Sequence, residues 1–200
     1  MCWGYEEDVS SPNSIPFNMT TDPLFPTRRN TLRLQGFDYA TYCCYFITIV
    51  TQGRVCRFGH IHDGQVILSP AGEMVEQVYQ EMLETYPAID DVAHVIMPNH
   101  LHLLIANHGD TSITEAVRWL KSKTTNRYIH GVKEQGWPAF DLRLWQTRFY
   151  DVIIRNAQAH DYVLNYIHNN PLRWSLDRLN AFVDMENADD VNHDLTIMNW

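Results

Sequence analysis

The segment Val92 to Ala106, VAHVIMPNHLHLLIA, limits the fold more than any other stretch of the chain. Two short apolar runs meet at Pro98-Asn99, a turn dipeptide, which predicts one strand over 92–97 and a second from His100 to Ala106. Side chains on a strand alternate between its two faces. In the second run His100 and His102 therefore share one face, and Leu101 and Leu103 share the other.

The flanking segments fill in the architecture. Thr41 to Thr51, TYCCYFITIVT, is rich in aromatic and β-branched residues and predicts a strand, with Gln52-Gly53 as a turn and Arg54 to Phe58 extending the edge. HIHDGQVIL holds Asp63-Gly64 between short apolar runs and predicts a tight hairpin. Ser69-Pro70 starts a helix that sets Met74, Val75, Val78, Met82 and Leu83 on one face and ends at Tyr86-Pro87. Ser112-Ile113-Thr114-Glu115 has capping-box spacing. The helix it opens turns Ile113, Val117, Leu120 and Tyr128 inward. GVKEQGWPAFDLRLW reads as a loop and RFYDVIIR as an extended segment. Asn156 caps a last helix of about 13 residues, closed by Asn170-Pro171.

The order is thus β, β, α, β, β, α, β, α with hairpin-type connections. It predicts an α+β fold, an antiparallel sheet with helices packed on it. Its first part resembles a ferredoxin-like or RRM-like arrangement. Residues 1–36, with four prolines in SSPNSIPFNMTTDPLFPTRRN, form an irregular lead-in. Residues 37–180 form one domain, and 181–200 an acidic tail.

A hydrophobic content of 45% supplies one sizeable core and excludes disorder throughout. No apolar run approaches the roughly 18 residues of a membrane span, and MCWGYEEDVSSPN is too acidic and polar for a signal peptide. Cys2, Cys43, Cys44 and Cys56 lack C-x-x-C spacing, so a reducing cytoplasm fits better than a disulfide framework. The net charge of −9 hides a division. The first 114 residues carry 5 basic and 13 acidic side chains, residues 115–180 carry 10 basic and 6 acidic, and the last 20 carry 5 acidic and no basic ones. A local basic face can bind phosphates whatever the total charge, in a salt-sensitive way.

Two groups of residues carry potential chemistry. Imidazoles at His100 and His102 can bind one divalent metal if a third ligand arrives from elsewhere, or they are an ordinary histidine pair. Tyr166 and Asn170 lie one helical turn apart and face the same way. They are either a half-buried tyrosine beside a helix-terminal asparagine, or a nucleophile beside a metal ligand. Phenol is a poor nucleophile at neutral pH, with a pKa of about 10. It becomes useful when a metal polarises the electrophile, and a phosphodiester suits that chemistry.

With YFITIVTQGRVCRFG, HVIMPNHLHLLI, RWLKSKTTNRY, WQTRFYDVIIR and YVLNYIHNNPLRW in that order, residues 42–178 resemble the HUH single-strand transposases with one catalytic tyrosine. Within them they resemble the REP-associated tyrosine transposases. The resemblance implies that His100, His102 and Asn170 hold Mg²⁺ or Mn²⁺ and that Tyr166 is the nucleophile. It implies cleavage and rejoining of single-stranded or hairpin DNA through a 5′-phosphotyrosine link with a free 3′-hydroxyl. The hydropathy predicts no membrane partner, and monomer and homodimer both stay open. Arg118, Lys121, Lys123 and Arg127, with Arg148 and Arg155, are the candidate DNA contacts, or else a solvated face.

Rivals remain. Tyr150 is a second candidate nucleophile, without a metal-ligand candidate at helical spacing. His94 and His108 read as non-ligands, and His168 points away from the Tyr166 face. Trp145 reads as packing a loop onto the sheet. A non-catalytic DNA- or RNA-binding protein would not need the whole His, His, Tyr, Asn set. A metal-dependent hydrolase would need a carboxylate base that VIMPNHLHLLIAN does not offer.

Overall fold

The computed structural model describes residues 43–109 and 111–180; the lead-in over 1–36, Cys2, the start of the first predicted strand and the acidic tail lie outside the described residues. The chain runs through strands β1 (Cys43–Val50), β2 (Gly59–His62) and β3 (Gln65–Leu68), then helix α1 (Pro70–Thr85). Strands β4 (Ile89–Ile96) and β5 (His100–Asn107) lead to helix α2 (Ile113–Gln135), then strand β6 (Tyr150–Ile154) and helix α3 (Ala157–Asn169). A 3-10 segment, Pro171–Leu176, follows.

The main sheet has four strands in the order β4-β5-β1-β6, every neighbouring pair antiparallel. With the β2–β3 hairpin set aside, the chain reads β-α-β-β-α-β, the ferredoxin-like arrangement. The hairpin turns at Asp63-Gly64 as expected, but it forms a separate two-stranded sheet. Arg54 to Phe58 does not extend the edge of the main sheet. Gln52–Arg54 makes a single 3-10 turn, and the Arg57 and Phe58 N–H groups donate to Pro98 O instead.

The period-two alternation of β1 and β5 sorts residues into two layers. Tyr45, Ile47, Ile49, Leu101, Leu103 and Ile105 pack against α1 and α2 in the larger core. Phe46 and Leu104 face the other way, against Val163 and Ile167 of α3. His100 and His102 share the Leu104 side of β5, so the histidine face is the α3 face. Helix α1 begins as expected, with Ser69 Oγ accepting from Gly72 N–H, and buries Met74, Val75, Val78 and Met82. Asn156 Oδ1 likewise accepts from Ala159 N–H at the start of α3.

Helix α2 departs from expectation at both ends. The Ser112 side chain makes no capping bond; its carbonyl accepts from Glu115 and Ala116 N–H instead. The helix also continues through Gly131-Val132-Lys133-Glu134-Gln135, which reads as loop in the sequence, and stops at left-handed Gly136. Glycine at 131 serves packing and not a break. A Cβ there would lie 2.3 Å from Cε3 of Trp137, whose indole folds back onto the helix.

Edge strand β4 is tied to α1 by a charged cluster. His94 Nδ1 lies 2.7 Å from Asp91 Oδ2 and Nε2 lies 3.1 Å from Glu76 Oε2, while Tyr79 Oη donates to Asp91 Oδ1 at 2.8 Å. Burial opposes the charge on His94, but hydrogen bonds and charges from Asp91 and Glu76 outweigh it and raise its pKa to about 9. A group with a raised folded pKa contributes all its stability below its unfolded pKa, and loses it as pH rises through the folded value. The Tm advantage of the native protein over His94→Gln should therefore be greatest below about pH 6.5 and shrink toward pH 9. An advantage that grows across that window would contradict this account.

Candidate active site

Strand β5 presents His100 and His102 side by side under α3, 0% and 2% exposed. Their Nε2 atoms stand 3.0 Å apart. Asn99, which reads as a turn residue, sets the proton arrangement. Its Nδ2 donates to Arg54 O at 2.8 Å and Leu179 O at 2.6 Å, so its Oδ1 is left to face His100 Nδ1 at 2.8 Å. His100 Nδ1 must then be the donor, and Nε2 carries a bare lone pair. Burial holds the His100 pKa down to about 3 and pushes His102 well below its ordinary value, so both rings are neutral at pH 7. Thr48, directly across the β1–β5 ladder from His102, places Oγ1 2.8 Å from His102 Nδ1.

Helix α3 supplies the opposing wall. Its apolar stripe Ala159, Val163 and Ile167 is buried, and the neighbouring stripe Tyr162, Tyr166 and Asn170 repeats every fourth residue. Tyr166 Oη stands 3.3 Å from His102 Nε2. Phe46 stacks on the His102 ring at 5.2 Å and meets Tyr166 edge-on at 5.9 Å, which holds the two rings in place. Burial and the Asp177 charge push the Tyr166 phenol above its ordinary pKa, and a hydrogen bond from Asn170 works against them. Asn170 is 2% exposed, and its Oδ1 has no hydrogen-bond partner among the described residues.

The segment after α3 closes over the histidines. Trp174 lies 6.0 Å from the His100 ring, and Asp177 Oδ2 is 3.9 Å from His100 Nε2. The carboxylate that VIMPNHLHLLIAN lacks therefore arrives from Asp177, which is distant in sequence. Asn99, Thr48 and Asp177 were not singled out by sequence reasoning. Thr48 leaves one sign, a hydroxyl inside the apolar run YFITIV.

Other candidates fall elsewhere. Tyr150 packs on the α3 face beside Val152. His94 is held by Asp91 and Glu76, and His108 Nε2 by Asp90 at 2.6 Å. His168 is exposed. Trp145 is buried, donating Nε1–H to Thr124 Oγ1 at 2.9 Å, and so packs the loop as expected. Arg118, Lys121, Lys123 and Arg127 belong to α2, across the sheet from the histidines, so the structure does not bring them to this site. Lys121 Nζ donates to Gln146 O and Thr147 O, and burial lowers its pKa to about 8. Arg127 pairs with Glu81 at 2.8 Å, and Lys123 sits over the Trp119 ring. Arg118, Arg148 and Arg155 are exposed.

The donors fit a divalent cation. Two nitrogens 3.0 Å apart have the spacing of neighbouring ligands, at right angles, roughly 2.1 Å from one octahedral ion. A carboxylate oxygen of Asp177, within 4.8 Å of both, makes the set mixed nitrogen and oxygen, which suits a hard or borderline ion, and the buried, unpartnered Asn170 oxygen is a further candidate donor.

An antiparallel sheet with an H-x-H pair on an inner strand and a tyrosine helix across it is the arrangement expected from the resemblance to single-tyrosine transposases. Residues 63–170 match the family described as IS200-like transposases. An uncharacterised Haemophilus influenzae protein is 31% identical over 168 residues, 76% of this chain and 92% of that one. A second H. influenzae protein, assigned by name to the REP-associated tyrosine transposases, is 26% identical over 147 residues, 68% of this chain and 74% of its own. The solved structure of a REP-associated tyrosine transposase bound to a REP hairpin superposes with a TM-score of 0.53 at 18% identity, covering 70% of this chain and 73% of that one. The chain belongs to the IS200-like transposase family. Among the described residues no helix is long and apolar enough to cross a membrane.

Proposed function

We propose that this chain cleaves and rejoins single-stranded DNA at hairpin sequences, with Tyr166 as nucleophile and His100, His102 and Asn170 as the metal ligands. The observation that carries this reading is the placement of the Tyr166 phenol 3.3 Å from His102 Nε2, on the face that holds both neutral imidazoles. Mg²⁺ or Mn²⁺ bound there would polarise the phosphodiester and stabilise charge on the departing oxygen. Tyr166 Oη gives up its proton and forms the new bond to phosphorus. The bond from phosphorus to the 3′-oxygen breaks, and that oxygen takes a proton and leaves as a free 3′-hydroxyl. Rejoining reverses these changes, so the phosphotyrosine keeps the bond energy and no nucleotide is consumed. Phe46 and the α3 packing hold the phenol in line with the pair, which is the positioning such a transfer requires.

Hairpin DNA labelled at its 3′ end should become attached to the protein and remain so in a denaturing gel, whereas a 5′ label should leave on a fragment ending in a 3′-hydroxyl. Asp177 gives a second reading some support, because a carboxylate near two imidazoles could activate water for plain hydrolysis. That reaction cuts DNA with neither label trapped, so the same gel separates the two.

Binding has its own expectation. The basic excess is confined to residues 115–180, which suits a limited groove better than a long duplex track. A hairpin-forming single strand should bind more tightly than blunt duplex of the same sequence, and affinity should fall steeply with salt. Equal affinities at matched salt would count against the hairpin substrate.

A further inference from the structure

We propose that Asp177 is a direct ligand of the metal at this centre, so that the ion clamps the segment 171–180 over the histidine pair. The inference rests on the reading that His100 and His102 hold a divalent ion.

The ligand-capable atoms of His100, His102 and Asp177 all lie within 4.8 Å of one another. The Asp177 side chain is only 8% exposed, and its two oxygens have different surroundings. Oδ1 accepts the Leu179 N–H at 2.7 Å, which settles the local turn. Oδ2 faces His100 Nε2 at 3.9 Å, just outside direct contact. The nitrogen it faces carries a lone pair, because His100 Nδ1 donates to Asn99 Oδ1. A carboxylate withdrawn from water beside an uncharged nitrogen is costly, and a cation between them removes that cost. Asn170 Oδ1 is also buried and unpartnered, one helical turn from Tyr166.

The segment carrying Asp177 is anchored to the same residues that prepare the histidines. Asn99, which sets the His100 tautomer, also donates to Leu179 O at 2.6 Å. Arg54 Nη1 donates to Arg178 O at 3.0 Å, and Asn180 Nδ2 donates to Trp174 O at 3.0 Å. An ion held by Asp177 would add a further tie between this segment and the histidine pair. An added carboxylate also shifts the donor set toward oxygen, and so toward Mn²⁺ or Mg²⁺ over Zn²⁺.

The test is a Mn²⁺ titration of the full chain, reading free ion by electron paramagnetic resonance, with amide hydrogen exchange over 171–180 with and without Mn²⁺. Asp177→Asn keeps the shape and the Leu179 contact but removes the charge. It should weaken Mn²⁺ binding by at least about 10-fold, the least that losing even an outer-shell partner costs, and abolish the Mn²⁺-induced protection of 171–180. Unchanged affinity in Asp177→Asn, with binding lost in His100→Ala, would overturn the Asp177 assignment and leave the histidine centre standing. Equal Mn²⁺ affinity in the native protein and His100→Ala would remove the centre itself, and this proposal with it. Should Asp177→Asn fail to fold, native protein decides alone: exchange over 171–180 that does not respond to Mn²⁺ overturns the proposal.

Discussion

Tyr166→Phe is expected to eliminate both nicking and the covalent protein–DNA product, a loss of more than about 10³-fold, as befits removal of a nucleophile. The change deletes one oxygen. The ring keeps its edge-on contact with Phe46, and the Val163 and Ile167 packing of α3 is untouched. The change also takes away the buried Asn170 amide's hydrogen-bond partner, at a cost of about 1–3 kcal/mol, so assays should run well below the melting transition to keep lost chemistry apart from unfolding. Two companions sharpen the result. Tyr150→Phe should still trap DNA, since Tyr150 packs beside Val152 on β6. Asn170→Ala keeps the phenol and removes an amide oxygen, so part of its activity should return at high Mn²⁺. DNA trapped by Tyr166→Phe but not by Tyr150→Phe would move the nucleophile to β6.

The second large effect belongs to the histidine pair. His100→Ala or His102→Ala should abolish cleavage, again by more than about 10³-fold, while hairpin affinity changes little. Loss of an imidazole removes charge stabilisation at the reacting phosphate, whereas affinity for nucleic acid rests mainly on phosphate and base contacts. His100→Ala also leaves Asn99 Oδ1 without its buried partner, a cost of about 1–3 kcal/mol in stability. Assays should therefore run well below the melting transition of each variant. Full nicking by either variant at ordinary Mg²⁺ would remove the pair from the mechanism.

Much of this was legible in the sequence because the relevant signals are local. The alternation in HLHLL sets the imidazoles on one face, and the four-residue step from Tyr166 to Asn170 stacks them on one helix. Both are properties of backbone repeats. What escaped depends on contacts between distant segments. Nothing in RWSLD says that its aspartate comes to lie against His100, because the turn after α3 decides that. Asn99 looks like a turn residue, and it is one. Its second task, orienting an imidazole, appears only once Arg54 and Leu179 occupy its amide nitrogen. Gly131 misleads in the opposite sense, since glycine inside a polar stretch signals a break, whereas here its missing Cβ makes room for Trp137. The basic residues of α2 show the same limit. Their spacing describes a charged helix surface, while the side of the sheet it occupies follows from topology.

The alternation of β5 also makes the site a matter of parity. Leu101 and Leu103 lie in the larger core and His100 and His102 in the opposite layer, each across from a β1 partner in strict register. Loss or gain of one residue ahead of His100 would exchange the two sets, putting imidazoles into an apolar core and leucines under the tyrosine helix. A point substitution on this strand touches one layer at a time, but a change in its length disturbs the candidate site and the core together. The connections beyond the sheet carry no such parity, so an inserted residue there leaves both faces of β5 as they are.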